Sequence, residues 1–402
     1  MWEQIRSNQI RSMVLVVGMA AVLLVLGYFL GLVFFGSGTG GLIIALVLWL
    51  VMNLVAYFQG DSILLGISKA RKITRDDHPR LFNVVEEMKI ASGLEKMPDI
   101  YIIDDPALNA FAAGRDPSRA SIAITSGLLQ KLNRDELQGV IAHEISHIKN
   151  RDVLLMSFCS VLLGSIVILA WYATHMLFFS AMYGGRRSSG RGGGGEAIVL
   201  LIGILLMILA PIIAQLIYFA ISRRREYLAD ASGALYTRYP EGLASALEKI
   251  ASSTTELKTA NQATAPMYII NPFRQKGRPA ADLTSTHPPI SERIRILRSM
   301  AGGASLADYN AAYARVHQGG GAILPSPALA AGAAPLRAPT PESAPLEPEP
   351  GKVERTREVS DLMWRMNNYR TVNCACGTKL KVPPNFKKSE VRCPHCGRIH
   401  PV

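Results

Sequence analysis

Four long apolar runs dominate the hydropathy pattern of this chain, at residues 13–35, 41–58, 153–179 and 197–221. Each run is long enough to cross a hydrocarbon core of about 30 Å as a helix that rises about 1.5 Å per residue. The pattern therefore predicts an α-helical integral membrane protein with four transmembrane helices. The first run is longer than the apolar part of a usual signal peptide, so we expect it to be retained in a membrane hairpin.

The remaining segments show the periodicities of a soluble α+β domain. Residues 78–91 place apolar side chains on one helical face, and residues 100–103, 109–113 and 121–125 are short apolar runs typical of strands. Asn133, followed three residues later by a glutamate, resembles a capping box that opens the next helix.

These patterns divide the chain into four parts. Residues 1–59 form the first membrane hairpin, and residues 60–300 form the α+β domain, which the second hairpin interrupts. Residues 301–370 are rich in Ala, Gly and Pro, and we expect a flexible tether there. Residues 371–402 form a separate C-terminal module.

Basic residues flank the predicted spans and indicate their orientation. They lie before the first span, after the second, before the third and after the fourth, and the positive-inside rule assigns all these flanks to the cytoplasm. The loop 184–195 carries three arginines and must lie on the other side, against the rule. Contacts of these flanks with anionic lipid account for the net charge of +12 without nucleic acid as a partner.

The helix that follows Asn133 contains the motif H-E-x-x-H at residues 143–147. Residues four apart fall on nearly one helical face, so His143 and His147 can bind one metal ion. Glu144 lies one position further round, where it can reach a water beside that ion rather than the ion itself. This spacing is typical of the zinc-binding helix of a metallopeptidase.

A catalytic zinc usually takes three protein ligands and keeps one position open. The best candidate for the third ligand is Glu226, and Asp230, one helical turn later, can accept the second ring N–H of a ligand histidine. Two membrane spans separate Glu226 from His147, so the chain returns to the same side of the membrane. The alternative is a solvated helix start in which Glu226 pairs with Arg223 or Arg224.

Four cysteines near the C-terminus form two spaced pairs, Cys374 with Cys376 and Cys393 with Cys396. A glycine follows each second cysteine, which suits the tight turn of a zinc knuckle. Four thiolates form a closed site, so the pattern predicts a zinc ribbon with a structural ion. Redox-active or unpaired thiols are the alternative. The basic module lacks the aromatic-rich surface typical of nucleic-acid binding, which favours a substrate-capture or regulatory role.

In order along the chain, these features resemble the HtpX family of membrane-bound zinc metallopeptidases, which are related to the type I CAAX prenyl proteases. The resemblance covers residues 1 to about 300 and rests on the paired N-terminal spans and on residues 109–112, 143–147, 226–230, 286–289 and 292–294. It implies a gluzincin-type catalytic domain at the cytoplasmic face of a bacterial inner membrane. It further implies endoproteolysis of misfolded or damaged membrane proteins under stress.

The resemblance also assigns roles to residues. His143, His147 and Glu226 would bind the catalytic zinc, and Glu144 would be the general base. An edge strand would align the substrate backbone; its residues are Asn109, Ala110, Phe111 and Ala112. Asn109 is also a plausible turn residue.

His287 has two possible roles. Pro288 biases it towards an extended conformation. It either donates a hydrogen bond to the developing oxyanion or caps the helix that follows.

Two other functions compete with a surface metalloendopeptidase. An intramembrane zinc protease would hold H-E-x-x-H inside the bilayer, whereas Asp135, Lys149 and Arg151 flank the motif closely here. A non-catalytic zinc adaptor would use the ribbon to recruit partners through a degenerate first site. The presence of three ligands, a base and Asp230 argues against the adaptor.

Overall fold

Helices dominate the architecture, with one small sheet and two hairpins. The computed structural model describes residues 2–183, 194–253, 287–300, 302–319 and 350–401, together with residues 255, 257–258, 268–269, 323–324, 332 and 334–339. The helices are α1 (Trp2–Phe35), α2 (Gly38–Ile67), α3 (Pro79–Ser92), α4 (Ser126–Lys131), α5 (Arg134–Lys149), α6 (Asp152–Tyr183), α7 (Gly194–Thr237), α8 (Pro240–Ser252), α9 (Ile290–Arg298), α10 (Leu306–Val316) and α11 (Lys352–Met366). The strands are β1 (Arg71–Lys72), β2 (Asp99–Ile103), β3 (Ala110–Ala113), β4 (Ser121–Thr125), β5 (Arg370–Asn373), β6 (Lys379–Val382), β7 (Glu390–Arg392) and β8 (Ile399–Pro401).

The four predicted membrane spans are confirmed as helices α1, α2, α6 and α7, each long and apolar enough to cross a bilayer. They pack together through a buried apolar core that includes Met19, Leu23 and Leu26 from α1. Cys159 of α6 is fully buried in that core, as expected for a packing residue. Outward-facing positions such as Leu201 and Leu216 of α7 remain exposed, which is the burial pattern of a bundle surrounded by lipid.

Helix α7 is much longer than a membrane span. The sequence predicted that the fourth span ends at residue 221, but α7 continues without a break to Thr237 and contains 44 residues. At about 1.5 Å per residue such a helix is roughly 66 Å long, about twice the thickness of a hydrocarbon core. The residues after 221 therefore carry the membrane span directly into the soluble domain. Of the loop predicted at 184–195, residues 184–193 lie outside the described residues.

The soluble domain contains a four-stranded sheet of order β1-β2-β4-β3. The three strands predicted from sequence are present, with β2 parallel and β3 antiparallel to β4. The very short β1 was not predicted. Among the strands that the structure describes, β3 pairs with β4 alone and so forms one edge of the sheet.

Helix α5 packs against this sheet and is almost completely buried. Its predicted start is confirmed: the Asn133 side chain accepts from Glu136 N–H, and the Glu136 carboxylate accepts from Asn133 N–H, each at 2.9 Å. This reciprocal capping satisfies two backbone donors that a helix start leaves unpaired. Helices α3, α7 and α8 cover α5 and hold it in a fixed orientation.

The predicted flexible tether differs from the structure in its described parts. Helix α10 buries Leu306, Tyr309 and Ala312 in the core of the soluble domain, and α11 buries Val359 and Leu362 there. The three-residue spacing of the apolar side chains in α10 was obscured by the surrounding Ala and Gly. Helix α11 lies where the sequence favours a short helix, at residues 354–369. Residues 320–322, 325–331, 333 and 340–349 of the tether lie outside the described residues.

The C-terminal module follows α11 directly and is held by it. Arg71 donates to Met366 O and to Asn367 Oδ1, each at 2.6 Å, and so joins the end of α11 to the sheet. Lys381 of β6 forms an ion pair with Asp361 of α11 at 2.7 Å. The module is thus attached to the soluble domain through a docked helix.

We expect Leu362→Ala to detach α11, because removing a fully buried leucine side chain costs about 2–5 kcal/mol. Trypsin cleavage within α11, at Arg355 or Arg357, should become faster. Val353→Ala is the matched control, because Val353 lies on the same helix and is 65% exposed. Equal cleavage rates for the two variants would contradict the docking.

Candidate active site

The two histidines of the H-E-x-x-H motif meet the predicted third ligand. His143 Nε2 and His147 Nε2 lie 3.2 Å apart. Glu226 Oε2 lies 3.6 Å from His143 Nε2, and Glu226 Oε1 lies 3.5 Å from His147 Nε2. Helix α5 supplies the imidazoles, and the extended end of α7 supplies the carboxylate. Glu226 is 5% exposed, so it does not belong to a solvated helix start.

These three side chains have the geometry of a zinc site. Bonds of about 2.0–2.1 Å in a tetrahedron separate neighbouring ligand atoms by about 3.3 Å, close to the distances observed. Two imidazole nitrogens and one buried carboxylate are also a usual set of protein ligands for a catalytic zinc. The ligand atoms therefore fit a zinc ion.

Two carboxylates orient the imidazoles from outside. Asp230, predicted for this role, lies 3.0 Å from His143 Nδ1. Arg293 of α9 holds Asp230 with two hydrogen bonds, Nε to Oδ2 at 2.8 Å and Nη2 to Oδ1 at 2.7 Å. The Arg293 guanidinium is fully buried, and its Nη1 also lies 3.3 Å from Glu226 Oε2. Arg293 thus balances the charge of both α7 carboxylates.

The second histidine has its own carboxylate, which the sequence reasoning missed. His147 Nδ1 lies 2.9 Å from Asp152 Oδ2, and Asp152 forms an ion pair with Arg225. Asp152 is the first residue of α6, so a membrane helix begins at the site. The sequence shows that Asp152 lies shortly after His147. It does not show that Asp152 begins a helix or that it pairs with Arg225.

Glu144 is buried next to the ligand atoms but is not one of the three candidate zinc ligands. Burial raises the pKa of Glu144, while a hydrogen bond from the Ala112 backbone and the nearby imidazoles oppose that shift. A raised pKa brings a carboxylate closer to the neutral range in which a general base is most effective. Glu144 lines a cavity of about 30 Å³ that also reaches His147 and Glu226.

The pKa values of the two imidazoles are shifted in opposite directions. Burial lowers the pKa of His143, but hydrogen bonds to Asp230 and Glu226 outweigh it and raise that pKa to about 9. Burial and the charge of His143 lower the pKa of His147 to about 4.

His287 reaches the same site from the segment before α9. Its Nε2 lies 3.8 Å from Glu226 Oε1, and the side chain is buried. Burial lowers its pKa to about 4, so the imidazole is neutral at pH 7. The N-cap residue of α9 is Pro289, which makes no side-chain capping hydrogen bond. The alternative role of His287 as a cap of that helix stays a prediction. Thr286, which precedes it, lies outside the described residues.

The predicted substrate-binding residues lie on and beside β3, at the edge of the sheet. Ala112 lines the cavity beside Glu144. Phe111 points into a separate apolar cluster. Asn109 precedes the strand and continues its pairing, since Thr125 N–H donates to Asn109 O at 3.0 Å.

The four C-terminal cysteines also converge. Cys374 Sγ lies 3.4 Å from Cys396 Sγ, and Cys376 Sγ lies 3.7 Å from Cys393 Sγ. Bonds of about 2.3 Å to a tetrahedral zinc separate sulfurs by about 3.8 Å. The sulfurs lie at the bases of hairpins β5–β6 and β7–β8, whose knuckles turn at glycines with φ of +86° and +73°. The cluster fits a metal ion and contains no disulfide.

Comparisons with known proteins agree with this geometry. The family model of peptidase family M48 matches residues 75–301. The chain belongs to this family. An HtpX protease homologue of Dictyoglomus turgidum is 48% identical over 267 residues, which cover 66% of this chain and 84% of the relative. An HtpX protease homologue of Pyrococcus abyssi is 46% identical over 294 residues, which cover 73% and 96%.

This M48 peptidase is thus a multi-pass membrane metalloendopeptidase, as the motifs predicted. Among solved structures, the crystal structure of S. mikatae Ste24p matches with a TM-score of 0.42 and 19% identity, covering 74% of this chain and 67% of that one. The residues after 301, including the cysteine cluster, lie beyond the matched family model.

We expect Asp152→Asn to weaken zinc binding by about 10- to 100-fold, the usual effect of removing an outer partner of a ligand histidine. Asparagine keeps the size but loses the charge that holds His147 and Arg225. Zinc affinity should be measured by competition with a chelator. Asp99→Asn is the control, because Asp99 is 54% exposed and pairs only with Lys72 at the surface. Equal affinities would show that Asp152 does not support the site.

Proposed function

We propose that this peptidase cleaves misfolded or damaged membrane proteins at the cytoplasmic face of a bacterial inner membrane, as part of a stress response. The observation that carries this proposal is the position of the site: His147 is bonded to Asp152, the first residue of membrane helix α6. A peptide bond cleaved there lies where a membrane protein emerges from the bilayer. The basic flanks of the four spans support the cytoplasmic side.

In this proposal His143, His147 and Glu226 hold the catalytic zinc. When bound, zinc polarises the scissile carbonyl and makes water acidic enough to attack near neutral pH. The Glu144 carboxylate takes a proton from the attacking water and returns it to the leaving amine. Its burial keeps competing solvent away from that transfer. Asp230 and Asp152 keep each Nδ1 protonated, so that both Nε2 atoms face the ion.

His287 has the position of an oxyanion donor. A neutral imidazole carries one ring N–H, and His287 Nε2 lies beside Glu226 at the edge of the ligand set. We propose that His287 donates this proton in a hydrogen bond to the oxygen of the tetrahedral intermediate.

We further propose that strand β3 aligns the substrate through residues 109–112. An edge strand pairs with any extended peptide through backbone hydrogen bonds. Such binding depends little on side chains. It therefore suits an enzyme whose substrates are all unfolded but differ in sequence.

The cysteine cluster is proposed to hold a second, structural zinc, for a total of two ions per chain. Closed sites with four thiolates have no open position for water. The ribbon would then stabilise the C-terminal module, with substrate capture or regulation as its role.

We expect Glu144→Gln to abolish cleavage and to retain both zinc ions, because Glu144 is not a ligand. Zinc content and casein cleavage in detergent, with wild type beside Glu144→Gln, provide the test. A wild type with one zinc and no activity would favour the adaptor hypothesis. Substantial cleavage by Glu144→Gln would rule out the proposed base.

We expect His287→Ala to keep its zinc and to lower kcat by about a hundredfold or more, the usual effect of losing an oxyanion donor. The pre-steady-state cleavage of a short fluorogenic peptide gives kcat without interference from casein binding. His317→Ala is a suitable control, since His317 stacks on Tyr313 at the surface of α10. An unchanged kcat with zinc present would exclude the oxyanion role.

A further inference from the structure

The pairing geometry of β3 shows which of its backbone groups face away from β4. In an antiparallel pair, successive residues direct their backbone groups alternately towards the partner strand and away from it. Asn109 exchanges hydrogen bonds with Thr125, so the next residue, Ala110, directs its N–H and C=O away from β4. Ala110 N–H donates to Asn109 Oδ1 at 3.1 Å, which leaves Ala110 O as the group that a substrate chain would use at this residue.

A piece of the chain itself occupies that position. Ile269 N–H donates to Ala110 O at 3.0 Å. Ile269 O accepts from Arg293 Nη1 at 3.2 Å. Both backbone groups of Ile269 are therefore satisfied, one by the strand edge and one by the arginine that holds the α7 carboxylates. The bond from Ile269 N–H to Ala110 O is the one that an added strand would form with this edge.

The neighbouring Tyr268 anchors this piece. Its ring meets the ring of Phe111 edge-on, with centroids 5.2 Å apart. Its hydroxyl lies 3.2 Å from Ser68 Oγ, directly after membrane helix α2. Tyr268 is 1% exposed and Ile269 is 2% exposed, so both side chains fill space that is closed to solvent.

The space left beside the catalytic groups is small. The cavity next to Glu144 is lined by Ala112, Tyr268 and Ile269 as well as by the ligand side chains, and its volume is about 30 Å³. One water needs roughly 10–15 Å³ on this measure. The site as it stands has room for water and none for the side chains of a substrate.

We propose that Tyr268–Ile269 is an internal occupant of the peptide-binding edge, which an extended peptide with large apolar side chains must displace. This inference rests on the proposed role of β3 in substrate alignment. A competing internal segment reduces apparent peptide affinity in proportion to the fraction of molecules in which the edge is free. Because Tyr268 is bonded to Ser68, the position of α2 in the membrane bears on that fraction.

The test measures peptide binding in the Glu144→Gln background, which removes cleavage. The probe is a fluorescein-labelled peptide with the sequence of residues 265–272 of this chain, followed by fluorescence anisotropy in detergent. A peptide with serine in place of its tyrosine and adjacent isoleucine controls for binding by the label. Full-length Glu144→Gln is compared with the double variants that add Tyr268→Ala, Tyr268→Phe or Ile90→Ala.

Tyr268→Ala is expected to lower the Kd of the probe by about tenfold, the change produced when an edge that is nine-tenths occupied becomes free. Tyr268→Phe removes only the hydroxyl bonded to Ser68. The loss of one buried hydrogen bond shifts the equilibrium between the occupied and the free edge by about fivefold, which is expected to lower the Kd roughly three- to fourfold. Ile90→Ala is the control at a site that is 69% exposed, and it should leave the Kd unchanged.

If Tyr268→Phe has normal zinc content and a normal Tm but an unchanged or higher Kd for the probe, the proposal is overturned. Tyr268 would then only line the site. That variant decides the matter if Tyr268→Ala does not fold. If the wild type cleaves nothing while the Tyr268 variants bind the probe tightly, the proposed function alone is refuted. Cleavage by the wild type with an unchanged Kd in both variants would refute this inference alone.

Discussion

Paired buried charges hold the active site together. A carboxylate inside a protein is stable only when it is neutralised and hydrogen-bonded. Asp230 meets this condition through Arg293, and Asp152 meets it through Arg225. Each carboxylate in turn contacts the outer nitrogen of one histidine. The orientation of both imidazoles thus depends on arginines from α9 and α7, and the site forms only when these elements are packed together.

This dependence makes the membrane helices part of the active site. Asp152 begins α6, and Arg225, Glu226 and Asp230 lie on the soluble extension of α7. A shift of either helix along its axis would move a ligand or its support by several ångströms, since a helix rises about 1.5 Å per residue. Assembly of the membrane bundle and assembly of the site are therefore one event. A soluble fragment that lacks the spans would keep these four residues but lose the helices that hold them in place.

Strand β3 is subject to two opposing requirements. An unpaired edge must be covered, because exposed backbone groups attract other chains. A protease that reads an unfolded backbone needs the same edge free. Residues 268–269 lie where these requirements conflict. Tyr268 belongs to the small apolar cluster around Phe111, whereas Ile269 packs in the main core of the soluble domain.

The sequence alone indicated the candidate ligands and the candidate base, because local spacing is enough to place side chains on one helical face. His143 and His147, the capping box at Asn133 and the two cysteine pairs are all short-range patterns, and so are the four apolar spans. The sequence also indicated Glu226 and Asp230, with the even number of intervening spans as its only long-range argument. It did not reveal that Asp152 supports His147, that Arg293 is buried, that α10 and α11 belong to the core, or that residues 268–269 lie on β3. Those contacts join segments that are far apart in the chain. A sequence also does not distinguish a charged residue that is exposed from one that is buried and paired. Only tertiary packing, which removes water from these groups, decides which charges must find partners and which strand edge must be covered.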